Sequence, residues 1–377
     1  MKFNAIICEF NPFTRGHEYI IAQAKKLSKA PLICLMSGNF VQRGEPAVLD
    51  KYSRATTAIK AGADIVIELP TIYALSSAPD FAYGAVKILN SLKCVDKLIF
   101  GSECGDLDTL IKEAEKEIDS KLIKERLKNG ESYATTLASS SDVLSLPNNV
   151  LGVEYIKAIK ATNSKIQPYT IKRVNNYNDD KTSAVSSATA LRKLINEKNY
   201  SEFCNSSPNF AIEEENNYKF SVTIEKLIEY KIKSMNMLQM SNINGITEGL
   251  EFRIVERLNQ AGDVKSRMEA IKTKRYPEGK IKRILLNCLL DITKETLKNA
   301  KLSNSEYIKV LAINKKQTRL LSQLPNELIL TCKKDYPKLN ENAKNVVGFD
   351  LQASKIYSCI KDNYSALSDF TVGMKKV

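Results

Sequence analysis

The chain has 377 residues, 43% of them apolar, enough for two or more hydrophobic cores because single cores stop growing near about 250–300 residues. It nowhere approaches the roughly 18 uncharged apolar residues of a membrane span, and its start, MKFNAIICEF, lacks a signal-peptide pattern; a cytoplasmic, unprocessed protein without a membrane partner is predicted. Lysine and arginine number 56 against 43 acidic residues, a formal charge of +13, which favours polyanionic partners such as RNA unless it is only a solvated basic surface. The eight cysteines form no C-x-x-C pair and the chain has one histidine, so reduced, buried thiols are expected and no metal-ligand set is predicted.

Taken in chain order, the first two hundred residues alternate apolar runs with amphipathic stretches. Phe3–Glu9, Pro31–Ser37, Asp64–Leu69, Lys97–Phe100 and Tyr169–Arg173 read as strands. His17–Leu27, Lys51–Ala61, Ala82–Leu92, Leu107–Ile118, Asn149–Ala161 and Ala188–Glu197 read as helices between them, the βαβ pattern of a parallel sheet. Ser132–Ser145 reads as a loop, a lid or a helix start. After about Tyr200 helical patterns dominate, over Ser221–Met235, Gly249–Gln260 and Lys280–Lys298, with a short strand pattern at Glu327–Lys333 and a helix at Leu351–Lys361. The predicted class is α/β: a Rossmann-like parallel sheet over residues 1–200, then a mostly helical basic region over 201–377 ending in a small α/β tail.

The chemistry concentrates at Phe10-Asn11-Pro12-Phe13-Thr14-Arg15-Gly16-His17, which follows the first strand and opens the first helix. Such a turn aims backbone N–H groups and the helix dipole at an anion, and glycine admits close approach of phosphate. His17, otherwise a turn-capping histidine, is placed to donate to charge developing on an α-phosphate. Ser186-Ser187-Ala188-Thr189-Ala190-Leu191-Arg192 puts hydroxyls at a helix start and an arginine one turn on, either a second phosphate site through Ser187, Thr189 and Arg192 or an ordinary cap. Gln42-Arg43-Gly44 suits a carboxylate or phosphate, or is a surface loop. Between Ala261 and Leu290 eight basic residues stand against three acidic ones. Of these, Lys274, Arg275, Lys282 and Arg283, with Tyr276 as a stacking ring, are the candidate RNA contacts, the alternative being a solvated helix face.

The first motif resembles the (H/T)-x-G-H signature of the nucleotidyltransferase superfamily, and Ser186–Arg192 resembles its late S-S-T-x-I-R element. Met36–Ala47, Gly62–Pro70, Phe100–Glu103, Pro147–Gly152, Ile171–Arg173 and Thr273–Pro277 extend a resemblance to the bacterial tRNA(Met) cytidine acetate ligase family over nearly the whole chain. The resemblance implies activation of acetate by ATP as acetyl-adenylate, then transfer of acetyl to the wobble cytidine of elongator tRNA(Met). It implies an ATP site over Ile7-Cys8-Glu9-Phe10-Asn11-Pro12-Phe13-Thr14-Arg15-Gly16-His17-Glu18-Tyr19-Ile20 with Gly101, Asn149 and Arg173, the Asn149 amide being able to read a base edge. His17, Thr14 and Arg192 are the expected catalytic residues, and Mg2+ is expected through the ATP phosphates. The family usually carries histidine where this chain has Thr14, which predicts an altered rate, and histidine in the middle of Tyr177-Asn178-Asp179. The alternatives are a small-molecule adenylyltransferase and a catalytically weakened tRNA-binding homologue.

Overall fold

The computed structural model describes residues 1–116, 133–139, 141–173 and 187–377. Its strands are β1 (Phe3–Cys8), β2 (Leu32–Ser37), β3 (Phe40–Val41), β4 (Glu45–Pro46), β5 (Ile65–Leu69), β6 (Val95–Ser102), β7 (Gln167–Lys172), β8 (Ile308–Ile313), β9 (Ile329–Leu330) and β10 (Lys375–Lys376). Eight of them form one sheet in the order β10-β8-β5-β2-β1-β6-β7, with β9 also on β8, while β3 and β4 make a separate hairpin. Strands β5, β2, β1, β6 and β7 run parallel. β2 and β5 are buried at every position, as strands covered by helices on both faces must be. Because β2 lies on one side of β1 and β6 on the other, the order reverses there. The crevice at the carboxyl ends of β1 and β6 is where such sheets bind ligands.

The crossover helices Arg15–Leu27, Lys51–Lys60, Ala78–Ser91 and Pro147–Ala161 fall where the apolar spacing places them. Two elements differ. Ile308–Ile313 forms β8, antiparallel to β5, so residues beyond 300 complete the N-terminal sheet and the tail does not stand apart. The helix expected over Lys280–Lys298 is two, Glu278–Leu289 and Lys294–Leu302. Between them Asp291 adopts φ 54°, and Thr293 starts the second helix with a capping box. One apolar cluster runs through the sheet and the helical region, joining Ile33, Ile65 and Leu98 to Ile228, Leu285 and Tyr357. The eight cysteines are unpaired, but only Cys34 and Cys288 are buried and Cys359 is exposed. Ser186 and Tyr177-Asn178-Asp179 lie outside the described residues.

The carboxyl-terminal segment is locked to the sheet by buried charge. Lys51 Nζ lies 2.8 Å from Glu68 Oε1 on β5 and 2.6 Å from Asp369 Oδ1. Lys309 on β8 meets the same two carboxylates, so four buried ions offset one another. Beside them Asp350 accepts from Thr71 N at 2.7 Å and from the Tyr307 hydroxyl. Burial, with the neighbouring Glu68 charge, raises its carboxyl from 3.8 to about 6. A raised native pKa means that the stability it confers is complete below the unfolded value and is lost as pH rises through about 6. Asp350→Asn should therefore shrink the loss in urea midpoint between about pH 4 and pH 7; an unchanged difference between the two midpoints would refute the assignment.

Candidate active site

The turn after β1 is built to face the crevice. Phe10 takes φ 50° and the Asn11–Pro12 bond is cis. Thr14 then caps the helix Arg15–Leu27: its hydroxyl oxygen accepts from His17 N at 3.2 Å, and the Thr14 N–H donates to His17 Nδ1 at 3.1 Å. This reciprocal cap fixes the imidazole tautomer. Nδ1 is an acceptor, so the proton sits on Nε2. Burial, reinforced by the Arg173 charge, lowers His17 to about 3; the ring is a neutral donor at physiological pH. Phe10 and Phe13 pack edge-on against it, with centroids 5.1 and 5.6 Å away.

A cavity of about 240 Å³ opens at this turn. Of the predicted stretch Ile7–Ile20 its wall takes Ile7, Cys8, Glu9, Phe10, Asn11, Thr14, Gly16, His17, Tyr19 and Ile20. Pro12, Phe13, Arg15 and Glu18 do not reach it; Phe13 packs on Phe210 and Arg15 donates to Ser207 O. Gly101, Arg173, Ser187, Thr189 and Arg192 line the same space, so both motifs converge. A Cβ at Gly101 would sit 3.1 Å from Arg173 Cγ and from Ile20 Cδ1, so a larger residue there would have to displace these two side chains of the cavity wall. Arg192 Nη1 donates to Asn11 O at 2.7 Å, tying the second motif to the first. Asn11 Oδ1 accepts from Val48 N, but its buried Nδ2 has no partner among the described residues. An unmet donor among Arg43, Arg173 and Arg192 fits an anionic ligand.

Two expectations are corrected. The Asn149 amide is not available to a base edge: Oδ1 accepts from Glu103 N and Cys104 N, and Nδ2 donates to Val143 O. It shapes the loop after β6 instead. Tyr276 is buried, its hydroxyl on Thr247 O and Lys280 Nζ 4.8 Å from the ring centre, so it offers no stacking face. Among the four candidate RNA contacts only Lys274 is exposed without an ion pair among the described residues. Arg275 pairs with Glu248, Lys282 with Glu45 and Glu278, and Arg283 Nη1 donates to Gln42 O at 3.0 Å.

The last contact links the helical region to the cavity. The hairpin β3–β4 carries Gln42 and Arg43 over the site, Gln42 N donates to Glu9 Oε1 at 2.7 Å, and Gly44 turns at φ 78° against the backbone of Arg283. The helix Glu278–Leu289 thus packs directly against the hairpin that lines the cavity. Arg283→Ala should lower nucleotide affinity about tenfold or more, because loss of one charge-assisted bond costs about 1.5–3 kcal/mol; unchanged ATP titrations would contradict this buttress.

Sequence reasoning also missed Arg54. It is 1% exposed, and its guanidinium donates to Leu49 O, Glu9 O, Ser37 O and Gly38 O. It gathers the carbonyls that follow β1 and β2. A single arginine on an amphipathic helix gives no sequence signal of such a role.

A T-x-G-H turn and a serine-capped helix with its arginine, meeting at the carboxyl edge of a parallel sheet, define a nucleotidyl-transfer site. The chain belongs to the HIGH Nucleotidyl Transferase family, whose model it matches over residues 1–369. Within that class it is a member of the tRNA(Met) cytidine acetate ligase family. It is 34% identical to the Clostridium perfringens tRNA(Met) cytidine acetate ligase over 99% of this chain and 98% of the relative. To the Acetivibrio thermocellus ligase it is 38% identical over 86% of each. Thermotoga maritima TmcAL, in a crystal structure bound with alpha-thio ATP, superposes with a TM-score of 0.88 at 30% identity over 100% of both chains. No helix of the described residues is long and apolar enough to cross a membrane.

Proposed function

We propose that this chain is an ATP-dependent ligase that activates acetate and acetylates the wobble cytidine of elongator tRNA(Met). The acetate oxygen attacks the α-phosphorus, pyrophosphate leaves, and acetyl-adenylate forms. The cytidine amine then attacks the acyl carbon, the bond from that carbon to the phosphate oxygen breaks, AMP leaves and the amine proton passes to solvent. The observation that carries this reading is the single cavity that unites the Nε2–H of His17, the unpartnered Asn11 Nδ2 and the guanidinium groups of Arg43, Arg173 and Arg192. His17 and Thr14 donate to the α-phosphate, Thr14 retaining its O–H because it caps as an acceptor. Arg192 and Arg173 neutralise the phosphates, with Ser187 and Thr189 beside them. Mg2+ would arrive with the triphosphate and would supply further positive charge to it.

Purified protein should exchange labelled pyrophosphate into ATP when acetate is supplied. Exchange that ignores acetate but responds to a phosphorylated small molecule would replace this reading with a coenzyme-type adenylyltransferase.

A further inference from the structure

Beside the nucleotide cavity lies a larger one of about 820 Å³, within the span of about 300–1,000 Å³ usual for sites that enclose a ligand of drug size. Arg43, Thr189 and Arg192 line both, so the cavities meet at that neck. The floor of the second is apolar, formed by Val48, Ile228, Met268, Ile281 and Leu285. On its wall Phe220 is 38% exposed, with Lys361 Nζ 4.5 Å from the ring centre. The rim is mixed. Lys272 and Lys282 are neutralised by Glu278 and Glu45, and Glu197, Glu225 and Glu269 add negative charge. Lys193 and Lys265 are exposed and carry no ion pair among the described residues.

A groove that tracks a nucleic-acid backbone is lined by cations throughout. This one has an apolar floor, an accessible ring and only two unpaired lysines, which suits one unstacked base with phosphates at its margins. In cytosine the exocyclic amine lies across the ring from the sugar bond, so a base entering edge-first leads with its amine while sugar and phosphates stay at the rim. We infer that the second cavity receives the target cytidine, flipped from a single-stranded RNA loop. Phe220 stacks on the base, Lys193 and Lys265 meet the flanking phosphates, and the amine reaches the acyl-adenylate between Arg43, Thr189 and Arg192. The inference rests on the ligase reading and adds the place and direction of entry of the acceptor.

Three variants test it in the full-length protein: Phe220→Ala, Phe220→Tyr and Val222→Glu, the last placing a carboxylate on the half-exposed wall. Each is assayed for acetate-dependent pyrophosphate exchange, for acetyl transfer to elongator tRNA(Met), and for binding of a fluorescent anticodon stem-loop RNA. Phe220→Ala should lower kcat/KM for transfer and weaken RNA binding by about tenfold or more, the range measured when a base loses its stacking ring. Phe220→Tyr should restore both, Val222→Glu should impair both, and exchange should stay at the wild-type rate in all three. Unchanged transfer and RNA binding in Phe220→Ala and Val222→Glu would overturn the inference, as would exchange falling in step with transfer. Absence of exchange in the wild type bears on the ligase reading alone, because stem-loop binding still reports on the cavity.

Discussion

His17→Ala is expected to slow acetate-dependent adenylate formation by about 10²–10³ while changing the ATP dissociation constant little. Nδ1 is occupied by the Thr14 N–H, so the single free function of the ring is the Nε2–H, a donor aimed at charge that grows only in the transition state. Losing one such donor costs about 2.7–4 kcal/mol. The substitution also removes the bond from Thr14 N to the imidazole while leaving the Thr14 hydroxyl cap in place; thermal unfolding of the variant separates that contribution. Because burial holds His17 at about 3, no ionisation of this ring should appear in the rate of exchange between about pH 5 and pH 8. A variant with normal turnover and lost ATP binding, or a wild-type rate that falls with a midpoint near 6.5 and loses that limb in the variant, would remove His17 from the role of neutral donor.

Arg54→Met should destabilise the protein by on the order of 3–5 kcal/mol and abolish exchange at temperatures where the wild type is folded. The methionine keeps most of the apolar stem but leaves the carbonyls of Leu49, Glu9, Ser37 and Gly38 buried without their donor. Each unmet buried acceptor costs about 1–3 kcal/mol before relaxation. Since Glu9 and Phe10 lead into the turn that carries His17, the loss should appear in activity before unfolding is complete. A denaturation midpoint close to wild type with full exchange would show that solvent or a neighbouring group satisfies those carbonyls.

The parts of the fold legible in the sequence are those governed by local pattern. β1, β2 and β5 are short apolar runs between turn residues, and the helices between them keep three- and four-residue spacing. The turn Phe10–His17 was legible because a strand, a glycine and a helix start specify an anion site locally. β8 was not: Lys309 interrupts Ile308–Ile313, and the charges that make it tolerable, Glu68 and Asp369, come from distant parts of the chain. The helix break at Leu290–Thr293 was hidden because no glycine or proline marks it and the apolar spacing runs on through it. Partners remote in sequence also explain the reassigned groups. In the basic stretch Lys265–Arg283 the partners of Lys282, Arg275, Arg283 and Tyr276 are Glu45, Glu248, Gln42 and Thr247, all supplied from elsewhere in the chain. Asn149 follows the same logic, its amide used by Glu103, Cys104 and Val143. At position 14 the threonine hydroxyl serves as the N-cap by accepting from His17 N, whereas the tautomer of His17 is set by the backbone N–H of the same residue, which any residue but proline would supply.

On the proposed reading one chain both forms an acyl-adenylate and passes the acyl group to a tRNA cytidine. Incubating purified protein with ATP, Mg2+, labelled acetate and elongator tRNA(Met), then digesting the RNA to nucleosides, tests it most directly. Label is expected in N4-acetylcytidine at the wobble position, dependent on ATP and accompanied by AMP and pyrophosphate. Acetate-dependent exchange with no label in any cytidine, or label in cytidine without ATP consumption, would contradict it.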